Sequence, residues 1–163
     1  MSSIFTFPNP VNEVSARLVA GAVALMGLAC VVLQVPWLMI VLAVGFLLRV
    51  ASGPRFDPLG LVVTRVIVPR LPLAERPTAG PPKRFAQAIG AVLTIAASTS
   101  YFGFSEAGLA YGLIAVVVVF AILESVLGLC VGCKVFALLM RAGVIPDSVC
   151  EECNDLSLHW IRS

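Results

Sequence analysis

The chain has 163 residues, of which 60% are hydrophobic and 12% are charged, and its mean hydropathy is +1.02. Soluble domains are about 45–50% apolar and about 25% charged. The composition therefore excludes an ordinary soluble domain and predicts an integral membrane protein. The formal net charge of +2 is too small to indicate a nucleic-acid partner.

Four apolar segments follow one another, at about residues 14–33, 36–50, 85–101 and 107–128. Because a helix needs about 20 residues to cross a bilayer core, they predict an all-α membrane protein with four transmembrane helices in two hairpins. Two residues separate the first two segments, and the second is short, so a re-entrant hairpin is the alternative. Glu13 argues against a cleaved signal peptide, so the first segment is expected to remain.

The stretch between the second and third segments predicts a further short helix. Asp57 and Pro58 are typical of a helix N-cap and first position. Apolar residues then recur at helical spacing over about residues 57–68. We predict an amphipathic interfacial helix, with a solvated loop as the alternative. Its lipid headgroup contacts would come from Arg55, Arg65 and Arg70.

All 11 basic residues fall on one side of this arrangement. Arg17 opens the first segment, and three basic residues follow the membrane part of the fourth segment. Seven lie between the second and third segments: Arg49, Arg55, Arg65, Arg70, Arg76, Lys83 and Arg84. The positive-inside rule makes this side cytoplasmic and places both termini there. Residues 1–142 then form the membrane domain, whose last helix extends to about residue 140, and residues 143–163 form a cytoplasmic tail.

Cys130 and Cys133 form a Cys-x-x-Cys pair at the predicted cytoplasmic boundary. Gly128 and Gly132 weaken the helix at this point. If the helix breaks, Cys130 lies at the start of a new helix, whose dipole favours a thiolate. If it continues, the two cysteines share one face and no dipole acts on them. Lys134 favours a thiolate in either case.

Cys150 and Cys153 form a second pair among acidic residues, which raise a thiol pKa. Three interpretations remain open. The spacing C-x2-C-x16-C-x2-C fits one zinc ion held by all four thiolates, Cys130, Cys133, Cys150 and Cys153. Alternatively, the first pair is a dithiol or sulfur acceptor that exchanges with the second pair or with a soluble protein. In the third interpretation the cysteines are inert, as we expect for Cys30 within the first segment.

Glu124 lies in the cytoplasmic half of the fourth segment, where a charge costs about 2.5–3.5 kcal/mol. An ion pair with Lys134 or another basic residue would reduce this cost. Two roles are open: a hydrogen bond between helices, with Gln87 or Ser98 as partner, or proton transfer to or from Cys130.

The stretches "GPRFDPLGLVVTRVIVPRL", "PPKRFAQAIG" and "GLCVGCKVFALL" resemble a family of small bacterial, largely actinobacterial, integral-membrane proteins. It is catalogued as domain of unknown function four-three-nine-five. The resemblance covers about residues 8–142, and its most specific element is Cys130, Gly132 and Cys133. It implies the bacterial cytoplasmic (inner) membrane and neighbours among thioredoxin-like proteins and sulfurtransferases.

Together these observations predict a cytoplasm-facing dithiol protein that carries out thiol–disulfide exchange or sulfur transfer with such soluble partners. Cys130 would attack, Cys133 would resolve, and Lys134 would favour the thiolate. Cys150 and Cys153 would be a second exchange pair. The alternative is a non-catalytic subunit or scaffold of a larger membrane complex, in which a structural zinc ion holds the tail through the four cysteines. Whether the chain is an enzyme stays open, and zinc is the single cofactor considered.

Overall fold

A computed structural model describes residues 11–53, 56–72 and 76–149. The helices are α1 (Glu13–Val32), α2 (Trp37–Ser52), α3 (Pro58–Val62), α4 (Gly80–Phe104), α5 (Ala107–Leu127) and α6 (Val131–Arg141). α3 continues into a π-helical turn, Val63–Ile67, and a 3-10 turn, Val68–Arg70, and a second 3-10 turn covers Asp147–Val149. Two short strands, β1 (Val11–Asn12) and β2 (Pro77–Thr78), pair antiparallel.

The helical fold predicted from the sequence is confirmed. α1, α4 and α5 are long and apolar enough to cross a membrane, as in a multi-pass membrane protein, whereas α2 is apolar but has 16 residues. α4 begins at Gly80, earlier than the predicted residue 85. Pro81 and Pro82 fit this first turn because the first backbone N–H groups of a helix have no partner within the helix.

The bundle is held together by pairs of helices that are distant in sequence. α1 packs mainly along α5, α2 packs along α4, and α4 packs against α5. The most deeply buried side chains include Cys30, Met39, Leu42, Thr94 and Ile114. The outer faces carry exposed large apolar side chains, including Leu25, Trp37, Val92, Val119 and Val126. Such faces suit a hydrocarbon surround.

α3 and its continuation cover the side of the bundle between α1 and α2. Asp57 is the N-cap of α3, and its carboxylate accepts a hydrogen bond from the Gly60 N–H at 2.8 Å. Val63 is buried against the core, while Arg65 and Arg70 are exposed. Arg55 lies outside the described residues. The helix between the second and third segments is therefore present, and its contact with lipid headgroups stays a prediction.

The two ends of the bundle differ in chemistry. What we call the charged end gathers Arg17, Arg49, Lys83, Glu124 and Cys130, where α1 and α4 begin and α2 and α5 end. The opposite end, which we call the aromatic end, includes the ring contacts Trp37–Phe102, with centroids 5.4 Å apart, and Tyr101–Tyr111, with centroids 5.9 Å apart. Both ends contain a cysteine, and the charged end contains the pair.

Candidate functional site

The candidate site begins where the fourth predicted segment breaks. α5 ends at Leu127, and Gly128 adopts the left-handed conformation with φ +68°. A glycine enters this region without the steric cost that a Cβ would impose. The chain then turns, and Cys130 becomes the N-cap of α6. Of the two alternatives that the sequence left open, the structure has the broken helix.

Arg17 of α1 holds the end of α5 in place. Its guanidinium donates hydrogen bonds to the carbonyl oxygen of Ser125 at 3.1 and 3.2 Å and to that of Val126 at 2.9 Å. The last carbonyls of a helix have no partner within the helix, and a cation there complements the negative end of its dipole. The interaction therefore stabilises the point at which the chain leaves α5.

Gly132 fixes α6 against α4. A Cβ at this position would lie 2.5 Å from the Cβ and 2.6 Å from the Cα of Ala86, so only glycine allows this approach. One turn later, the Phe136 ring packs on Phe85 with centroids 5.6 Å apart. α6 is thereby held with its N-terminus, and Cys130, directed at the bundle.

The two thiols are in contact and differ in acidity. The Cys133 backbone N–H donates a hydrogen bond to Cys130 Sγ at 3.4 Å, and the Cys133 thiol donates to the same sulfur. The thiol hydrogen bond is the main cause that lowers the pKa of Cys130, against the effect of burial. The same hydrogen bond, together with burial, raises the pKa of Cys133. Cys130 is therefore the more acidic thiol of the pair, and Cys133 is the less acidic one.

An ion pair lies beside these thiols. Lys83 Nζ is 2.5 Å from Glu124 Oε1, and both side chains are largely buried. Lys83 lowers the pKa of Cys130, and Glu124 raises it. Lys83 was expected in the stretch before the third segment, but it lies in the first turn of α4. The signal that pointed to it was the unpaired charge of Glu124, which required a cation from another helix.

Two neighbours proposed from the sequence lie elsewhere. Lys134, adjacent to Cys133, is exposed in the first turn of α6. Ser98, one of two suggested partners of Glu124, donates its hydroxyl hydrogen bond to the Thr94 carbonyl at 2.8 Å. Gln87, the other, has a buried Oε1 that accepts no hydrogen bond within the described part of the chain. Glu124 is instead the partner of Lys83.

A second buried ion pair joins α2 to the start of α3. Arg49 Nε lies 3.3 Å from Asp57 Oδ2, and both side chains are almost completely buried. Arg49 Nε also donates to the Gly45 carbonyl at 3.0 Å, and its guanidinium lies 4.5 Å from the centre of the Phe46 ring. From the sequence, Arg49 was considered only as one of the basic residues that set the membrane orientation, and its ion pair with Asp57 was not predicted.

A cavity of about 60 Å³ lies between the two ion pairs and the dithiol. Its polar lining consists of Arg49, Gln87, Glu124 and Cys130, and Phe46 and Gly132 are among the other residues that close it. A water needs about 10–15 Å³ of such volume. The cavity, which Glu124 and Cys130 both line, can therefore hold a few waters.

The zinc hypothesis depends on Cys150 and Cys153, which lie outside the residues that the structure describes. Cys150 and Cys153 both fall after residue 149, so their relation to Cys130 and Cys133 stays a prediction. Within residues 11–53, 56–72 and 76–149, no group of three or more His, Cys, Asp or Glu residues could hold a metal ion.

Fold and site together define a helical, multi-pass membrane protein with a Cys-x-x-Cys pair at the start of a short helix. The family model described as Domain of unknown function (DUF4395) matches residues 11–141, and the chain belongs to this family. The family resemblance noted in the sequence is thus confirmed. No curated protein and no solved structure matches the chain.

Proposed function

We propose that this chain is a membrane-embedded dithiol protein that carries out thiol–disulfide exchange with soluble proteins. The observation that supports it most strongly is the position of Cys130 as the N-cap of α6, where its sulfur accepts a hydrogen bond from the Cys133 backbone N–H. A thiolate is the reactive form of cysteine, and helix N-termini and Cys-x-x-Cys pairs favour it. Cys130 is therefore suited to attack a disulfide, and Cys133 is suited to resolve the mixed disulfide that results.

In the proposed reaction the Cys130 thiolate attacks one sulfur of a disulfide carried by the partner. A mixed disulfide forms between Cys130 and that sulfur, and the partner's second sulfur leaves as a thiolate that is protonated. Cys133 then loses its proton and attacks Cys130 Sγ. The Cys130–Cys133 bond forms and the mixed disulfide breaks. The partner is reduced by two electrons to a dithiol, and the pair is oxidised by two electrons.

The proposal includes an orientation and a compartment. Four helices cross the bacterial inner membrane, both termini are cytoplasmic, and the partner is a thioredoxin-like protein or a sulfurtransferase. In support, Arg17, Lys83 and Arg84 all contact another helix at the charged end. The links at the other end, residues 33–36 and 105–106, contain no Lys or Arg. Under the positive-inside rule, the charged end and Cys130 would face the cytoplasm.

The surroundings of the pair suit a protein partner. Cys130 is only 8% exposed, but its neighbour Leu129 is 41% exposed, and Leu138, two turns further along α6, is 61% exposed. Exposed apolar residues next to a reactive group are typical of an interaction site. A partner that covers these leucines would bring its disulfide to the Cys130 sulfur.

The test uses the full-length protein in lipid nanodiscs, reduced and then mixed with glutathione disulfide as the probe. Mass spectrometry after an acid quench identifies the products. The wild type is expected to form the Cys130–Cys133 disulfide, and Cys133→Ser is expected to accumulate glutathione on Cys130. Cys130→Ser should form neither product. The matched control Cys30→Ser should behave as the wild type.

Equal reaction of Cys130→Ser and the wild type would overturn the proposal. A second arm adds a zinc chelator to membranes before thiol labelling. If Cys130 and Cys133 become reactive only after chelation, the pair is a zinc site. That outcome would replace the exchange proposal with the scaffold alternative.

A further inference from the structure

At the charged end, the buried ammonium group of Lys83 interacts with two acidic groups, the Glu124 carboxyl and the Cys130 thiol. Lys83 is 7% exposed and is bonded to Glu124, and its charge also acts on Cys130. Glu124 and Cys130 line the same cavity, although they come from α5 and from the start of α6. The three groups therefore form a cluster of one cation and two acids.

The other charges nearby have partners of their own. Arg49 of α2, which also lines the cavity, is paired with Asp57. Arg17 of α1 is bonded to carbonyls at the end of α5, and Glu13 lies beside it near Gly128. Lys83 is thus the cation available to both Glu124 and Cys130. Because a buried charge is costly unless it is paired, the cluster is favoured when only one of the two acids is ionised.

We propose that Glu124 and Cys130 share a single proton beside Lys83, and that Glu124 serves as general base and then general acid for exchange at Cys130. This inference rests on the exchange function proposed above. It names a proton-transfer residue for that reaction and gives Lys83 a positioning role.

The proton balance of the cycle follows from this arrangement. The Cys130 thiol gives its proton to the Glu124 carboxylate, and the resulting thiolate takes Glu124's place as the anion opposite Lys83. When the thiolate attacks the partner disulfide, its charge passes to the leaving sulfur. Glu124 then returns the proton to that leaving thiolate and is again the anion opposite Lys83. Counted together with the leaving sulfur, the cluster has zero net charge at each stage, and one proton passes from Cys130 to the partner's thiol.

The cavity supplies a route between the two acids. It has room for a few waters, by the volume that each requires. Gln87 lines it, and the Oε1 atom of this side chain accepts no hydrogen bond from the described residues. A water that donates to Gln87 would lie in the same cavity as Glu124 and Cys130, and a relay through one water is an accepted geometry for general acid–base catalysis.

The test compares two rates in full-length Glu124→Gln, because the proposal predicts that they change in opposite directions. Alkylation of Cys130 by iodoacetamide needs only the thiolate. Removal of the competing anion lowers the pKa of Cys130, so this rate at pH 6.5 should rise roughly threefold. That figure combines a tenfold larger thiolate fraction per pKa unit with the lower nucleophilicity of a more acidic thiol. Single-turnover release of glutathione from glutathione disulfide by the pre-reduced protein should fall roughly tenfold or more for lack of the proton donor.

Glu106→Gln is the matched control, because Glu106 is an exposed carboxylate at the aromatic end. Neither rate should change in that variant. Glu124→Asp keeps a carboxyl group and should recover part of the rate of glutathione release. If both rates fall together in Glu124→Gln, or if neither changes, the proton-sharing proposal is overturned while exchange by the dithiol stands. If the wild type itself performs no exchange, the proposed function fails instead.

Discussion

Cys30 and Cys130 lie at opposite ends of the same bundle and show how helix direction changes the chemistry of one side chain. Cys30 lies in the last turns of α1, is fully buried, and donates its S–H to the Val35 carbonyl at 3.3 Å. Cys130 precedes the first turn of α6 and accepts a hydrogen bond from the Cys133 N–H. The link that follows α1 offers a carbonyl that binds a thiol, whereas the N-terminal end of α6 offers N–H groups that bind a thiolate.

The same contrast extends to the residues around each cysteine. The charged end has two buried ion pairs, Lys83–Glu124 and Arg49–Asp57, close to a polar cavity. The aromatic end has ring contacts such as Trp37–Phe102. Buried charges depend on specific partners, so substitutions at the charged end should have sharper effects than substitutions elsewhere in the bundle.

The largest effect is expected from Arg49→Met. The substitution leaves Asp57 buried without a cation, which should reduce the free energy of unfolding by about 3–5 kcal/mol. The measurement is titration with sodium dodecyl sulfate in mixed micelles. Arg141→Met, at an exposed position, is the control and should change little. The double variant Arg49→Met/Asp57→Asn, which removes the buried charge and keeps an N-cap side chain for α3, should recover much of the loss. A single variant as stable as the wild type would contradict the prediction.

The pH dependence of alkylation should separate the cysteines. A thiolate is lost as the pH falls through its pKa, so Cys130, whose pKa is lowered, should stay reactive below the ordinary thiol pKa of about 8.5. Cys133, whose pKa is raised, should react at least about a hundredfold more slowly at pH 7. Cys30 should react only when the protein is unfolded. Peptide mass spectrometry after iodoacetamide treatment measures all three, and faster labelling of Cys133 than of Cys130 would refute the assignment.

Gly132→Val should detach α6 from α4. The added side chain would meet the backbone of Ala86, and overpacking of this kind costs about 1–3 kcal/mol. We expect a lower midpoint of thermal unfolding in detergent and loss of the difference in reactivity between Cys130 and Cys133. Gly112→Val is the matched control, because nothing lies within 4 Å of a Cβ at that position. Equal losses in the two variants would show that the contact with Ala86 is not responsible.

The smallest of these effects distinguishes two lysines. Lys83→Met should slow alkylation of Cys130 at pH 7 by roughly threefold to tenfold, because the cation that lowers the pKa of Cys130 is removed. Lys134→Met should leave the rate nearly unchanged, since Lys134 is exposed to solvent. Slower alkylation in Lys134→Met and an unchanged rate in Lys83→Met would instead support the sequence-based prediction that Lys134 favours the thiolate.

Local features of the site were predictable because they depend on neighbours in the chain. The Cys-x-x-Cys spacing indicated the thiol pair, and Gly128 and Gly132 indicated a weak point in the helix. The break itself was not decided by these residues, because glycine within a helix costs only about 1 kcal/mol. Contacts of Arg17 with the end of α5 and of Gly132 with Ala86 favour the broken form, and both partners are distant in sequence.

By itself, the sequence determined a helical membrane protein, the approximate positions of its apolar helices, and the cysteine pair at the end of the last one. Such features follow from apolar runs and short spacings, which act within one helix. Only the tertiary structure decided that Lys83 meets Glu124, 41 residues away, beside Cys130. A cross-helix pairing depends on which helix faces pack together, and the low-polarity interior then makes that pairing the lowest-energy arrangement of the charges.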